Sequence, residues 1–248
     1  MSVYHYTKSK NLVKIILQDR IRFKASHYST YGDNDYGWTT KVARPIIASI
    51  CEQSHESFDN DWDFDPFIIS FAEKRNDRYM WRSFGNYNKG IMLALDSKLI
   101  AQTAMKDSLP DVFMECKYFV DNKRRRQWLK TCRKDDFPVP SNCLQDDLMI
   151  ISSFLLPNRY KKQREYRYVV PIHRGFYVSW NPETKEPKVE DKPLNKYTDK
   201  EGNLSVDFPK ETLREVVIGS KSKLTVAEVR AYLSQNGYDL KRVLVSKL

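Results

Sequence analysis

The stretch LREVVIGSKSKLTVAEVRAYLSQNGYDLKRVLVS, residues 213–246, carries the clearest fold signal in the chain. Its opening LREVVIG and its closing RVLVS have the apolar runs of buried strands. Between them, Thr225 and Glu228 form a T-x-x-E capping box that begins a helix, and Gly237 ends that helix. A strand, a helix and a strand in so short a segment predict a right-handed parallel crossover.

Working outward from this unit, further segments read as strands: VYHYT, PFIISF, GIMLALD and REYRYVV. We expect the strands that carry His5, Ile69, Leu93 and Tyr166 to lie in one central core. The sequence predicts a single α+β domain over residues 1–248. We expect a mixed central sheet flanked by helices, and the chain to end in the β-α-β unit. The sequence leaves open whether this sheet is continuous or split.

Three segments complete the organisation of the chain. Residues 112–119 read as one strand, and residues 144–155 read as a helix that ends at Pro157. GFYVSW is a candidate partner for the strand REYRYVV. Residues 181–205 are rich in Lys, Glu, Pro and Asn, which predicts an exposed polar insertion.

Composition excludes several classes of protein. The 248 residues carry a net charge of +10 and four cysteines, none of them in a CxxC pair. Eight glycines form neither a G-x-G-x-x-G nor a Walker motif, which argues against ordinary dinucleotide folds and P-loop NTPases. No apolar run approaches the roughly 18 residues of a membrane span. With no secretory signal either, we expect a cytoplasmic protein without a membrane partner.

Four segments, taken in order, resemble a bacterial family catalogued as domain of unknown function 2971. They are YHYT with NLVKIIL, ISFAEKRNDRYMWRSFG with NKGIMLALD, QREYRYVV, and LREVVIGSKSKLTVAEVRAYL. The chain departs from that pattern near Asn34 and Asp35, where Tyr36 and Gly37 replace an expected proline and acid. The role of this loop is therefore open.

The first segment is also similar to the opening of ADP-ribosyltransferase-type domains, including those that modify DNA and the RNA 2′-phosphotransferases. It has a strand that bears a histidine beside an aromatic residue and leads directly into a helix. The resemblance implies an ADP-ribosyltransferase-like fold and NAD as co-substrate. It also implies catalytic roles for His5 and for a glutamate on a late strand, here Glu165. A toxin or antiphage role would suit such an activity.

Cleavage of NAD builds positive charge on the ribose, and a nearby carboxylate stabilises that charge. Trp81 or Tyr87 would stack on nicotinamide, and Arg82 or Arg167 would bind the pyrophosphate. The complete set of predicted cofactor contacts is Tyr6, Ser70, Trp81, Arg82, Tyr87 and Arg167. Four of the candidate residues have a structural alternative: His5 as a satisfied strand histidine, Glu165 in a solvated salt-bridge ladder, Trp81 in the core and Ser70 in a hydrogen bond to the backbone.

The other strong signal is the basic run of residues 123–134. It predicts an exposed helix whose cations contact nucleic acid or another polyanion and whose tryptophan stacks on a base. The candidate contacts are Lys123, Arg124, Arg125, Arg126, Trp128, Lys130 and Arg133. A solvated surface is the alternative for this helix. The alternative to the enzyme is a non-enzymatic basic module that binds nucleic acid or nucleotide in an inactive cleft.

No metal site is predicted. The alternating acids Asp59, Asp61, Asp63 and Asp65 lack the mid-loop glycine of a calcium loop.

Overall fold

A computed structural model describes residues 1–27, 38–54, 64–105, 111–132, 144–173, 177–180, 187–190, 196–198, 204–239 and 242–248. The loop around Asn34 and Asp35, the acids from Asp59 to Asp63, and Arg133 lie outside these residues.

The chain is an α+β protein whose elements follow the predicted order in outline. The strands are β1 (Ser2–Thr7), β2 (Arg20–His27), β3 (Phe64–Ala72), β4 (Ile91–Asp96), β5 (Val112–Glu115), β6 (Lys117–Phe119), β7 (Leu155–Pro157), β8 (Glu165–His173), β9 (Tyr177–Trp180), β10 (Pro187–Glu190), β11 (Lys196–Thr198), β12 (Leu204–Pro209), β13 (Leu213–Ile218) and β14 (Val243–Val245). The helices are α1 (Leu12–Ile15), α2 (Arg44–Gln53), α3 (Arg78–Ser83), α4 (Ser97–Ala104), α5 (Asn122–Thr131), α6 (Leu144–Ser152) and α7 (Val226–Gln235).

A mixed sheet forms the centre of the molecule. Its strand order is β11-β12-β2-β3-β1-β4-β13-β14, with β8 paired to β3 and β5 paired to β8. Strands β1, β3, β4 and β8 belong to this one sheet, which confirms the predicted common core of His5, Ile69, Leu93 and Tyr166. The parallel pairing of the C-terminal β-α-β unit and its capped helix are also confirmed, because β13 and β14 pair in parallel and Thr225 and Glu228 form the capping box.

The sheet forks at β3. One edge of this strand pairs with β8 along its whole length, from Phe64 to Ala72. The other edge pairs with β2 at Phe67 and Ile68, and with β1 only at Ala72. Between these two contacts, in the part of the chain that the structure describes, no strand pairs with this edge of β3. Strands β1 and β2 therefore separate beside Ser70.

Apolar side chains fill both faces of the sheet. Helices α1, α4 and α7 cover one face with residues such as Leu12, Ile100 and Val229. On the opposite face, Met80 and Trp81 of α3 pack with Tyr6, and α2, α5 and α6 form a separate apolar cluster. None of the described helices is long and apolar enough to cross a membrane.

The segments around this core differ from the predictions in four places. The predicted strand at residues 112–119 is two strands, of which β5 pairs with β8 and β6 with β7. Residues 155–157 are strand rather than helix; a short apolar run fits both states, and Pro157 disfavours helix in the residue before it. Strand β9 pairs with β10 instead of β8. The polar insertion is partly regular, since β11 joins the sheet through β12.

Candidate active site

A pocket of about 360 Å³ opens where β1 and β2 separate from β3. Its walls come from β1, β2, β3, β8, helix α3 and the 3₁₀ turn Asn158–Gln163. Of the predicted catalytic and cofactor-binding residues, the structure brings five to this pocket: His5, Tyr6, Ser70, Glu165 and Arg167. They come from three strands that are far apart in the sequence.

Two hydrogen bonds hold the side chain of Glu165 in a fixed orientation. Its side chain is almost fully buried, and its Oε1 atom accepts hydrogen bonds from Ser70 Oγ at 2.5 Å and from Arg167 Nε at 2.8 Å. Arg167 is itself fixed, because its Nη1 donates to the backbone carbonyl of Ser153 at 2.5 Å. These bonds offset the cost of burying a charge pair. A solvated salt-bridge ladder is therefore ruled out for Glu165.

The other carboxylate oxygen of Glu165 is differently placed. Among the residues that the structure describes, none forms a hydrogen bond with Oε2. The carboxylate thus combines one fixed oxygen with one that a pocket ligand can approach. A ribose hydroxyl is a suitable donor to such an atom.

The backbone at the start of β8 orients this side chain. Tyr118 Oη accepts a hydrogen bond from Glu165 N at 2.6 Å, and Cys116 N donates to the Glu165 carbonyl at 2.9 Å. The preceding residue, Arg164, has the left-handed φ of 44°, which is uncommon for a residue with a side chain. Its side chain pairs with Glu73 at 2.9 Å. The chain therefore turns sharply into β8 directly before Glu165.

His5 closes the fork on the side where β3 has no strand partner. Its Nδ1 lies 3.1 Å from the backbone carbonyl of Ser70, and its ring meets Phe23 and Phe71 edge-on. A carbonyl only accepts, so Nδ1 carries the proton and Nε2 has the lone pair. Burial lowers the pKa of His5 to about 4, which keeps the ring neutral near pH 7. His5 therefore replaces a missing ladder bond and also forms part of the pocket wall.

The predicted alternation along the strands is confirmed. Tyr4 and Tyr6 lie in the cluster with Met80, whereas His5 contacts the cluster on the other face. The Tyr6 hydroxyl donates to the Lys74 carbonyl and accepts from Asp77 N, both at 2.9 Å. Its two hydrogen bonds fix the ring, which forms part of the pocket wall.

Three predicted cofactor contacts lie outside the pocket. Trp81 is fully buried against Tyr6, and its Nε1 donates to Asn76 Oδ1 at 2.7 Å. No face of the indole is open to a ligand, so Trp81 is a core residue. Arg82 and Tyr87 are exposed and do not line the pocket.

Other residues of the pocket were not predicted as site residues, among them Lys24, Phe84, Tyr160 and Gln163. Phe84 follows Met80 by one helical turn, and both line the pocket, so the M-x-x-x-F spacing is a signal that identifies this face. Tyr160 and Gln163 precede Glu165 in a turn whose sequence carries no comparable pattern.

The basic helix α5 is exposed on one side only. Lys123, Arg124, Arg126 and Lys130 are exposed, and a shallow groove between α2 and α5 adds Lys41 to them. Arg125 is fully buried: its guanidinium lies 3.8 Å from the Trp38 ring centroid and donates to the Leu155 carbonyl.

One further predicted contact on α5 is only partly accessible. Trp128 is half-buried, with Lys117 over its ring at 4.5 Å. Arg125 and Leu129 share the inward face because they are one helical turn apart. The prediction of a fully exposed basic helix is wrong for Arg125, and the helix ends at Thr131.

Among the described residues there is no group of His, Cys, Asp and Glu that could hold a metal ion. No known protein family, curated protein or solved structure matches the chain. The resemblances noted from the sequence therefore stay predictions.

Proposed function

We propose that the chain is an NAD-dependent ADP-ribosyltransferase whose reaction takes place in the pocket at the fork. One observation carries this proposal: Glu165 presents a buried, oriented carboxylate to a pocket that His5 also lines. The resemblance to ADP-ribosyltransferase-type domains assigns these same two residues to catalysis. The family relationship, the cytoplasmic location and the toxin or antiphage role belong to the same proposal.

The chemistry is a substitution at the ribose C1′ atom. The bond from C1′ to the nicotinamide nitrogen breaks, and its electron pair leaves with nicotinamide, which becomes neutral. Positive charge develops on the ribose, and the carboxylate of Glu165 stabilises it. An oxygen or nitrogen of the acceptor then attacks C1′ and releases its proton to solvent.

The pocket supplies groups for the rest of NAD. The half-exposed ring of Phe84 and the ring of Tyr160 offer faces for a nicotinamide or adenine base. Arg167 is occupied by Glu165 and Ser153, so the exposed ammonium of Lys24 is the better candidate for the pyrophosphate. Nε2 of neutral His5 is available to accept a hydrogen bond from a ribose hydroxyl.

The test compares Glu165→Gln with Glu215→Gln. Both carboxylates are buried and paired with arginine, but Glu215 lies on β13 outside the pocket. Glu165→Gln leaves Arg167 buried without its counter-charge, which lowers stability. The double variant Glu165→Gln with Arg167→Met removes both buried charges, so it tests the loss of the carboxylate in a protein that stays folded.

The readouts are nicotinamide release, with and without nucleic-acid or protein acceptors, and NAD affinity. We expect Glu165→Gln to lower turnover by at least about a thousandfold while NAD affinity changes little, because the lost contact acts in the transition state. Glu215→Gln keeps wild-type turnover. No nicotinamide release by the wild type, or equal release by the Glu165 variants, would overturn the proposal.

A second candidate function is a non-enzymatic module that binds a nucleotide or polyanion. The observation that favours it is the buried Glu165–Arg167 pair of β8, because its bonds to Ser70 and Ser153 also suit a purely structural role. The exposed cations of α5 would then contact phosphates without sequence specificity. Measurable NAD affinity without cleavage supports this candidate.

A further inference from the structure

The exposed aromatic side chains lie close together in the sequence. Tyr79 is 44% exposed, Phe84 46% and Tyr87 64%. Among the residues whose exposure the structure describes, every other Phe, Tyr and Trp is buried or half-buried. Three large apolar rings held in water within nine residues indicate a binding surface rather than scattered surface residues.

Cations are interspersed with these rings along the segment. Lys74, Arg78, Arg82 and Lys89 are exposed, and within the described chain none of them takes part in an ion pair. Two acids lie in the same segment: Glu73 pairs with Arg164, and Asp77, which caps α3 by accepting from Met80 N, is one negative charge against these four cations. The surface therefore carries uncompensated positive charge.

Helix α3 separates this surface from the core. Met80 and Trp81 point inward, while Arg78, Tyr79 and Arg82 occupy the outward face at helical spacing. Phe84, at the end of the helix, lines the pocket and is itself half-exposed. Phe84 therefore connects this segment, along the chain, to the pocket.

The loop after α3 holds Tyr87 away from the core. Asn86, Tyr87 and Asn88 all have left-handed φ angles, of 52°, 56° and 66°. Hydrogen bonds from Lys89 N to the Asn86 carbonyl and from Gly90 N to the Gly85 carbonyl close the loop. Asparagine adopts this backbone readily, but the left-handed Tyr87 is uncommon, and such residues cluster at functional sites.

We propose that this basic aromatic surface, residues 74–89, binds single-stranded nucleic acid and delivers it to the pocket as the acceptor of ADP-ribose. Its role as acceptor site rests on the proposed function, whereas its role in binding does not. Aromatic rings stack on bases while cations contact the phosphates, and this combination is typical of single-strand binding. Bases in a duplex are stacked on each other, so their faces are closed to Tyr79 and Tyr87.

The binding test uses fluorescence anisotropy with a labelled single-stranded DNA and its duplex form, without NAD. We expect Tyr79→Ala with Tyr87→Ala to weaken single-strand binding at least about tenfold and to leave duplex binding nearly unchanged. Arg78→Ala with Arg82→Ala reduces the slope of log affinity against log salt by about one to two. The matched control, Met105→Ala with Val120→Ala, removes two other exposed apolar side chains and has no effect.

The transfer test uses radiolabelled NAD and the same single strand. The tyrosine variant loses transfer to DNA but keeps nicotinamide release to water, since neither tyrosine lines the pocket. Unchanged single-strand affinity in that variant overturns the inference, as does equal displacement of DNA by poly-glutamate, which would indicate an acidic protein partner. Retained binding selectivity without any NAD cleavage refutes the proposed function alone.

Discussion

Helices α3 and α5 look alike in sequence and differ in what they expose. Both are basic and both contain a tryptophan, in RYMWRS and in NKRRRQWLKT. In α3 the tryptophan is buried and both arginines are outside. In α5 one arginine, Arg125, is buried beneath Trp38, and Trp128 is partly covered by Lys117.

This difference shows that a count of charges does not identify a binding surface. The position of each residue around its helix decides which side chain enters the core, and cation–π and carbonyl contacts allow even a guanidinium to do so. As a result, the exposed surface of α3 carries cations and an aromatic ring. The exposed surface of α5 carries cations without an exposed ring.

The largest expected effect is the loss of the buried arginine. Arg125→Ala removes a cation–π contact, a hydrogen bond to a carbonyl and much of a packed side chain, so we expect the free energy of unfolding to fall by about 3 kcal/mol. Arg126→Ala, next to it on the exposed side, costs less than about 0.5 kcal/mol. Urea denaturation measures both. Equal effects would remove the distinction between the two faces of α5.

The two tryptophans give a smaller contrast. Trp81→Phe leaves a cavity and removes one of the two hydrogen bonds that Asn76 Oδ1 accepts, the other coming from Ser246 Oγ, so we expect a cost of about 2 kcal/mol of unfolding free energy. Trp128→Phe keeps most of a half-exposed contact and costs less than about 1 kcal/mol. A thermal or chemical denaturation series is sufficient. A larger loss of unfolding free energy for Trp128→Phe than for Trp81→Phe would show that Trp128 of α5 is the better-packed ring, contrary to this prediction.

The smallest effect concerns the cations of α5. Arg124→Glu with Arg126→Glu is expected to weaken binding of single-stranded and duplex DNA equally, by about 1 kcal/mol at low salt, with a shallower salt dependence. Arg125 is excluded from this variant because it is buried and its loss would lower the stability of the protein. Anisotropy titrations at several salt concentrations provide the measurement. A selective loss of single-strand binding would move the nucleic-acid surface from α3 to α5.

Much of the candidate site was accessible from the sequence. Alternation along β8 placed Glu165 and Arg167 on one face and Tyr166 and Tyr168 on the other, and the structure has the same arrangement. The resemblance pointed to His5 and Glu165, which do line one pocket. The positions of Trp81 and Tyr87 could not be predicted, because their burial depends on the strands and loops that pack against α3.

The sequence by itself determined the local features of this protein: the capped helix α7 between parallel strands, and the alternation of β1 and β8. These features depend on residues a few positions apart, and the sequence gives that spacing directly. The fork beside Ser70, the bond from Ser70 to Glu165 across 95 residues, and the burial of Arg125 were decided only by the tertiary structure. Each depends on which distant segments pair with one strand edge or pack into one apolar space, and a local sequence pattern does not contain that information.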